Sequence, residues 1–237
     1  MLGDDLLGLL GPRIPADHSR QVLADHYIEH RFAALAGGSR VLDLGCGEGG
    51  SVEQFRSVDP EVRWLGVDLD ASPEVARRTR TDAEFRTFDG RSIPVEDGSL
   101  DLVYCKQVLE HVREPEPLVR DVARVLRPGG LLAGSTSQLE PFHSLSVGNL
   151  TPYGLMLLAE GAGLELIEVR PGIDGLTLIV NRGLGMPRLT RRWWGRESPL
   201  NRAIGLFGRA ARLDVRQVNA IKLLLCGQFA FLARKPA

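Results

Sequence analysis

A chain of 237 residues with a net charge of -1 and 25% charged residues has room for one well-buried α/β domain with an extra lobe, and is short for two independent domains. The near-neutral balance excludes a broad nucleic-acid-binding face, which needs clustered basic residues. Three widely spaced cysteines, Cys46, Cys105 and Cys226, form neither a disulfide framework nor a zinc-site pattern and point to a reducing, cytoplasmic setting.

Met1–Leu10 carries Asp4 and Asp5 without a basic leader, a poor match to a signal peptide. Asp17 or Ser19 is placed to cap a helix running to about Leu35, with Val22, Leu23, Tyr27 and Ile28 on one face. Residues 1–36 thus read as an N-terminal helical cap. His26 and His30 stand four apart beside Asp25 and Glu29, but with no third ligand they read as a solvated helix face, and no metal is expected. Strands then alternate with helices at Arg40–Leu44, Trp64–Asp68, Glu84–Thr87, Leu100–Cys105 and Leu131–Ser135, the pattern of a parallel sheet with crossovers. Ser72-Pro73 reads as an N-cap followed by proline, and a helix over Glu116–Leu126 stops at Arg127-Pro128-Gly129-Gly130. Thr151-Pro152 opens a helix to about Gly161, and Leu164–Arg170 and Gln228–Ala233 read as two further strands. The core therefore spans 37–171. The stretch 172–218 is too long for a hairpin and reads as an inserted helical lobe with a helix starting at Ser198-Pro199. Residues 219–237 return to the sheet as its final strand. No apolar run reaches membrane-spanning length, since Lys222 and Gln228 interrupt Ala220–Ala233.

The chemistry concentrates at Val41-Leu42-Asp43-Leu44-Gly45-Cys46-Gly47-Glu48-Gly49-Gly50, an apolar strand ending in an acid and a glycine-rich turn. Glycine there admits positive φ and lets a ligand lie against bare backbone. The same glycines fit the dinucleotide fingerprint, so a nicotinamide-dependent oxidoreductase is the alternative reading. Asp43, however, would repel a pyrophosphate and attract a cationic or amine-bearing ligand. A second strand, Trp64-Leu65-Gly66-Val67-Asp68, also ends in an acid. Two such strand ends form the crevice where open α/β sheets bind nucleotide-like ligands.

In order, Val41–Gly50, Gly66-Val67-Asp68, Phe88-Asp89-Gly90, Asp97–Val103, Val108-Leu109-Glu110-His111-Val112 and Arg124–Gly130 resemble a class I S-adenosylmethionine-dependent methyltransferase. The similarity is to the small-molecule group that includes ubiquinone and menaquinone biosynthesis enzymes (the methyltransferase type 11 domain), and covers roughly residues 38–170. The resemblance implies a Rossmann-like, doubly wound seven-stranded sheet in the order 3-2-1-4-5-7-6 with its last strand antiparallel. It implies S-adenosyl-L-methionine as cofactor. Gly45, Cys46, Gly47 and Gly49 would line its methionine part, and Asp43 would hold its amino group. Asp68 would accept from both ribose hydroxyls. Leu69 would pack on adenine, with Asp89 and Gly90 at its exocyclic amine. Lys106 and Gln107 would line the methyl-donor end. Lysine at 106 departs from the small polar or apolar residues usual there. Its ammonium is therefore expected to point away or serve the substrate. Cys46 reads as a small packing residue, not a nucleophile.

Transfer to a small-molecule acceptor, oxygen before carbon or nitrogen, is in-line displacement. A base is needed only for a hydroxyl or an acidic carbon. His111 and His143 are the catalytic candidates, followed by Tyr153; His111 reads equally as a structural residue at a helix start, and His143 more readily as an ordinary loop histidine. Asp101 starts a strand and reads as structural. From Arg182 to Arg216 there are nine arginines (182, 188, 191, 192, 196, 202, 209, 212, 216) against Glu197 and Asp214. Trp193, Trp194, Leu200, Ile204, Leu206 and Phe207 are interleaved with them. This segment reads as a solvated helical pair, as a lid over the acceptor, or as a peripheral membrane contact. A third function follows from the last option: a non-catalytic cofactor binder that docks to a membrane or partner.

Overall fold

The computed structural model describes residues 2–35, 37–141, 143–185 and 192–237. Short runs rich in valine and leucine become strands because helices cover both faces of the sheet, so strict alternation is not required. β1 (Arg40–Leu44), β2 (Arg63–Leu69), β3 (Glu84–Phe88), β4 (Leu100–Lys106), β5 (Leu126–Ser137), β6 (Glu165–Pro171) and β7 (Gln228–Arg234) form one sheet in the order β3-β2-β1-β4-β5-β7-β6. β1 to β5 pair in parallel and β7 runs antiparallel to both its neighbours. The expected doubly wound sheet is the observed one. β5 starts at Leu126 rather than Leu131, because the Arg127–Gly130 stretch stays beside β4 through a register shift between Leu100 and Leu102. Strand order reverses between β1 and β4, and that switch point opens the crevice at the strands' carboxyl ends.

The helices are α1 (Asp4–Leu10), α2 (Asp25–His30), α3 (Val52–Val58), α4 (Pro73–Arg77), α5 (Pro115–Val125), α6 (Pro152–Gly161), α7 (Gly175–Gly183), α8 (Pro199–Ala210) and α9 (Val215–Leu225). One sheet face carries Leu42, Val103 and Leu132 under Leu10, Leu118, Val122, Leu155 and Leu223 from α1, α5, α6 and α9. The other carries Val41, Tyr104 and Ala133 under Tyr27, Ile28, Phe32 and Phe55. Phe55 joins Phe32 and Tyr104 edge to face at 4.9 and 5.5 Å; such pairs add about 0.5–1.5 kcal/mol each beyond burial.

The N-terminal cap departs from expectation. Between Asp17 and Leu35 the only α-helix is Asp25–His30, and the unanticipated α1 precedes it. The groups a longer helix needs are taken elsewhere. Asp17 accepts from both Arg170 Nη atoms at 3.0 and 2.9 Å instead of capping, and Val22 N–H donates to Pro171 O at 3.0 Å. Gln21 N–H donates to Glu197 at 3.0 Å, and its side-chain oxygen accepts from Ser198 N–H and Asn201, both at 2.9 Å. The insertion is helical as expected, but α9 runs through position 218 to Leu225 before entering β7. Arg188 and Arg191, together with Met1, Ala36 and Phe142, lie outside the described residues. Among those described, no helix is long and apolar enough to cross a membrane.

Candidate active site

The first two strands deliver their acids side by side. Asp43 pairs with Gly66 in the parallel ladder and Asp68 follows the last rung; both are buried at the crevice. Asp43 Oδ2 accepts from Ser51 Oγ at 2.6 Å, and Ser51 in turn accepts from Trp64 Nε1 at 3.0 Å. Burial pushes the Asp43 carboxyl up to about 7; the Ser51 hydrogen bond and Lys106 oppose the rise, and Asp68 and Asp25 add to it. Asp68 Oδ2 accepts from Gly47 N–H and its Oδ1 from Leu69 N–H, both at 2.7 Å. The acid of β2 thus fixes the glycine turn of β1 and keeps lone pairs on both oxygens for a diol.

The turn needs glycine for a reason the motif did not disclose. A Cβ on Gly45 (φ +70) would stand 2.5 Å from Val108 Cγ2, and one on Gly49 (φ +82) would stand 2.9 Å from Phe85 Cζ. The protein's own side chains close on these sites, as well as leaving backbone bare for a ligand. Cys46 is packed 2.7 Å from where a Gly66 Cβ would be, and burial raises its thiol to about 12; it is no nucleophile. Arg78, which carried no motif, clamps the turn by donating to Gly47 O from Nε and Nη2 at 2.8 and 2.7 Å. Its guanidinium lies 4.0 Å from the Phe85 ring centroid. Leu69, 47% exposed, packs beside Gly90. Asp89 Oδ1 accepts from Arg91 and Ser92 N–H at 2.8 and 2.7 Å, which holds its carboxyl below the usual range.

At the end of β4, Lys106 Nζ donates to Asp25 Oδ1 at 2.8 Å, and Tyr104 Oη donates to the same oxygen at 2.7 Å. The ammonium therefore points to the cap. Asp25 is half-buried, which opposes ionisation, but Lys106 and the hydroxyl hold its carboxyl below the usual range. Gln107 adopts φ 56, a left-handed conformation costly for a non-glycine residue, and its N–H donates to Ser135 O at 2.9 Å. That bend carries Val108 back onto Gly45.

The two candidate histidines meet: the rings of His111 and His143 lie edge to face at 5.3 Å. Nδ1 of His143 is 3.4 Å from Glu140 Oε1. Glu140 is buried, accepts from Ser137 Oγ and Gln228 Nε2, both at 2.6 Å, and pairs with Arg182 of α7. Glu110, raised by burial, accepts from the Thr136 hydroxyl at 3.1 Å and lies 3.2 Å from Ser137 Oγ, whose proton goes to Glu140. Glu110, His111 and His143 each bring one ligand-type atom within 4.8 Å of the others. This is the sole three-residue grouping of metal-ligand type among the described residues. His26 and His30 do not join it; their rings touch each other at 4.4 Å. Asp101 binds Arg40 N–H and Arg127 at 2.7 and 2.6 Å, a structural role. Tyr153 sits on α6, partly exposed.

A methyltransferase domain model matches residues 42–134. A ubiquinone biosynthesis O-methyltransferase from Acinetobacter baumannii is 30% identical over 191 residues, covering 75% of this chain and 79% of that protein. The chain belongs to the S-adenosylmethionine-dependent methyltransferase family. Its fold is shared with a Haemonchus contortus phosphoethanolamine N-methyltransferase in complex with S-adenosyl-L-methionine (TM-score 0.56, 19% identity, 90% of this chain and 52% of that one). A methyltransferase from Aquifex aeolicus matches at TM-score 0.53 and 14% identity, over 98% of both chains. Membership decides between the dinucleotide and sulfonium readings of the glycine turn. The methyltransferase crevice fits its cofactor chemically. Asp43 Oδ1 accepts no hydrogen bond from any described residue, which leaves a carboxylate oxygen open to an ammonium. An exposed leucine beside a fixed carboxylate suits a purine with an exocyclic amine.

Sequence reasoning missed Arg78, Ser51, Asp25 and Glu140. Only Glu140 had a local signal, its place three residues before His143.

Proposed function

We propose that this methyltransferase moves a methyl group to a hydroxyl oxygen of a small-molecule acceptor, with His143 as general base. The cofactor, when bound, supplies a methyl group on a good sulfonium leaving group. Asp43 would hold its ammonium, Asp68 its ribose diol, and Leu69, Asp89 and Gly90 its adenine. Gly45, Cys46, Gly47 and Gly49 would line its amino-acid part. Lys106 is already committed to Asp25, so Gln107 would border the methyl-donor end without a cation pressing on the sulfonium. The observation that carries the oxygen reading is the Glu140–His143 pair. The Glu140 carboxylate, 3.4 Å from Nδ1 without a hydrogen bond to it, favours a proton on that nitrogen by its charge, which leaves Nε2 to take the acceptor's hydroxyl proton. An amine acceptor needs no such base. The relatives named as O-methyltransferases support the same choice.

Turnover and product analysis on catechol-type acceptors test this. In His143→Gln, kcat should fall about 100-fold or more and the rise of rate with pH should disappear, with the affinity for S-adenosylhomocysteine kept. An N-methylated or C-methylated product would overturn the oxygen assignment. Gly47→Arg should abolish S-adenosylhomocysteine binding and Asp68→Ala should weaken it; unchanged titrations for both would refute the crevice.

A second reading concerns peripheral membrane contact. Leu176, Ile179, Val180 and Leu184 on and after α7, and Leu206 and Phe207 on α8, are all about half exposed or more, next to the arginine-rich segment. Co-sedimentation with anionic vesicles that survives loss of these side chains would dismiss it.

A further inference from the structure

The cap and the insertion are joined by buried polar ties. Lys222, 2% exposed, pairs with Glu197 and donates to Ser19 O. Asn219 donates to Pro15 O and His18 O, both at 2.9 Å, and Asn201 donates to Gly172 O at 2.9 Å. Between the two parts lies a cavity of about 880 Å³.

Four guanidinium groups line it: Arg20, Arg196, Arg202 and Arg209. None has a carboxylate at ion-pair distance among the described residues. Many other arginines of the chain are neutralised, Arg13 by Glu160, Arg80 by Glu53, Arg127 by Asp101 and Arg234 by Glu165. The wall does contain acids, but Asp25 and Glu197 are taken by Lys106 and Lys222, which leaves Glu29 alone. Uncompensated cations gathered around one hollow form an anion site, because a guanidinium offers paired donors that match the oxygens of a carboxylate or phosphate. Arg202 is already positioned, its guanidinium 5.0 Å from the ring centroid of Trp193. His18 and His26 add neutral donors; burial lowers both, His26 to about 4.

Val22, Leu23, Trp194 and Leu206 give this otherwise polar wall its apolar surface. The hollow is tied to the crevice through one wall residue. Asp25 belongs to its wall and is the residue that Lys106 and Tyr104 grip at the end of β4.

We propose that this cavity anchors the methyl acceptor through an oxyanion, a carboxylate or phosphate carried on an apolar body, with Arg20, Arg202 and Arg209 as the recognising groups. The assignment of that ligand as the acceptor rests on the methyltransferase reading of the adjoining crevice.

Calorimetric titration tests it, with phenyl phosphate, benzoate and inorganic phosphate as probes against the chain saturated with S-adenosylhomocysteine. Phenyl phosphate or benzoate should bind more tightly than inorganic phosphate, and whichever is the tighter identifies the oxyanion. In the double variant Arg202→Gln, Arg209→Gln that affinity should fall about tenfold or more, with S-adenosylhomocysteine binding unchanged. Arg40→Gln with Arg63→Gln, at the opposite end of the sheet, should leave probe binding intact. The proposal is overturned if neither organic probe binds, if both double variants lose binding equally, or if only anionic vesicles bind. Failure of S-adenosylhomocysteine itself to bind would count against the crevice instead, and titration of the probes into the free chain would still decide the cavity.

Discussion

The crevice and the cap–insertion lobe hold their shapes by opposite means. In the crevice carboxylates hold backbone N–H groups at most 21 residues away: Gly47 N–H on Asp68, Leu69 N–H on Asp68, Arg91 and Ser92 N–H on Asp89. In the lobe the partners come from opposite ends of the chain, the Gln21 and Asn201 amides with each other and the Lys222 and Asn219 side chains on the Ser19 and Pro15 carbonyls. A turn made of backbone tolerates few residue types, so its alphabet is small and recurrent. A lobe made of side-chain ties tolerates many, which lets an acceptor pocket diverge over a constant cofactor site.

The sharpest way to break the first half is Gly45→Val. Positive φ and the approach of Val108 both forbid the side chain, at a combined cost of about 2–5 kcal/mol. S-adenosylhomocysteine binding should be lost in calorimetry and the denaturant midpoint should drop. Retained affinity would mean that the turn is not the cradle. Asn219→Leu attacks the second half. It leaves the carbonyls of Pro15 and His18 without their donor, a loss of about 2–4 kcal/mol for two stranded acceptors. Cofactor affinity should stay within about threefold while acceptor turnover collapses. A parallel fall in both would show that the two regions are one cooperative unit.

The same contrast explains what could be read from residues alone. The central strands β1, β2 and β4 were legible because a covered parallel sheet demands apolar runs, and the acids at 43 and 68 stood where those runs stop. The N-terminal helix was misjudged from Asp17 onward because its rival was not local. Arg170 lies far along the chain, and no helical periodicity reports that it will take Asp17. Asp25 and Lys106 went unpaired in the sequence for the same reason. The arginine excess of the insertion was visible, but not that Arg182 would turn to Glu140 while Arg202 and Arg209 stayed free. Sequence reports local preference; which distant group satisfies a side chain is decided by packing.

Asp43→Asn sharpens the comparison by setting function against stability within the crevice. Burial pushes the folded carboxyl up to about 7 from the ordinary aspartate value of about 3.8, so between those limits the folded state holds a proton that the unfolded chain has released. Stability therefore falls as pH rises from about 4 to 7, and by pH 8 the deficit is on the order of a few kcal/mol. Asparagine keeps an oxygen for Ser51 and carries no charge. The cofactor-free variant should melt higher than the parent at pH 8, with the gap closing toward pH 4. Its cofactor affinity at pH 8 should be lower by about tenfold. Melting curves that overlay at every pH would remove Asp43 from the list of buried, strained charges.

The smallest effect separates two copies of one sequence signature. Thr151-Pro152 and Ser198-Pro199 both announce a helix start, and both start one. Thr151 Oγ1 accepts from Gly154 N–H at 3.0 Å, so Thr151→Ala should cost about 1 kcal/mol. Ser198 makes no cap hydrogen bond; its hydroxyl is buried without a partner while its N–H is spent on Gln21. Deleting a buried hydroxyl that makes no bond removes a desolvation cost rather than a contact, so Ser198→Ala should fall within about 0.5 kcal/mol of neutral, on either side. Equal losses for the two alanines in chemical denaturation would show that the hydroxyl of Ser198 is used after all. The tie from Gln21 would then be secondary to an ordinary cap, and the lobe would be more locally built than its long-range hydrogen bonds indicate.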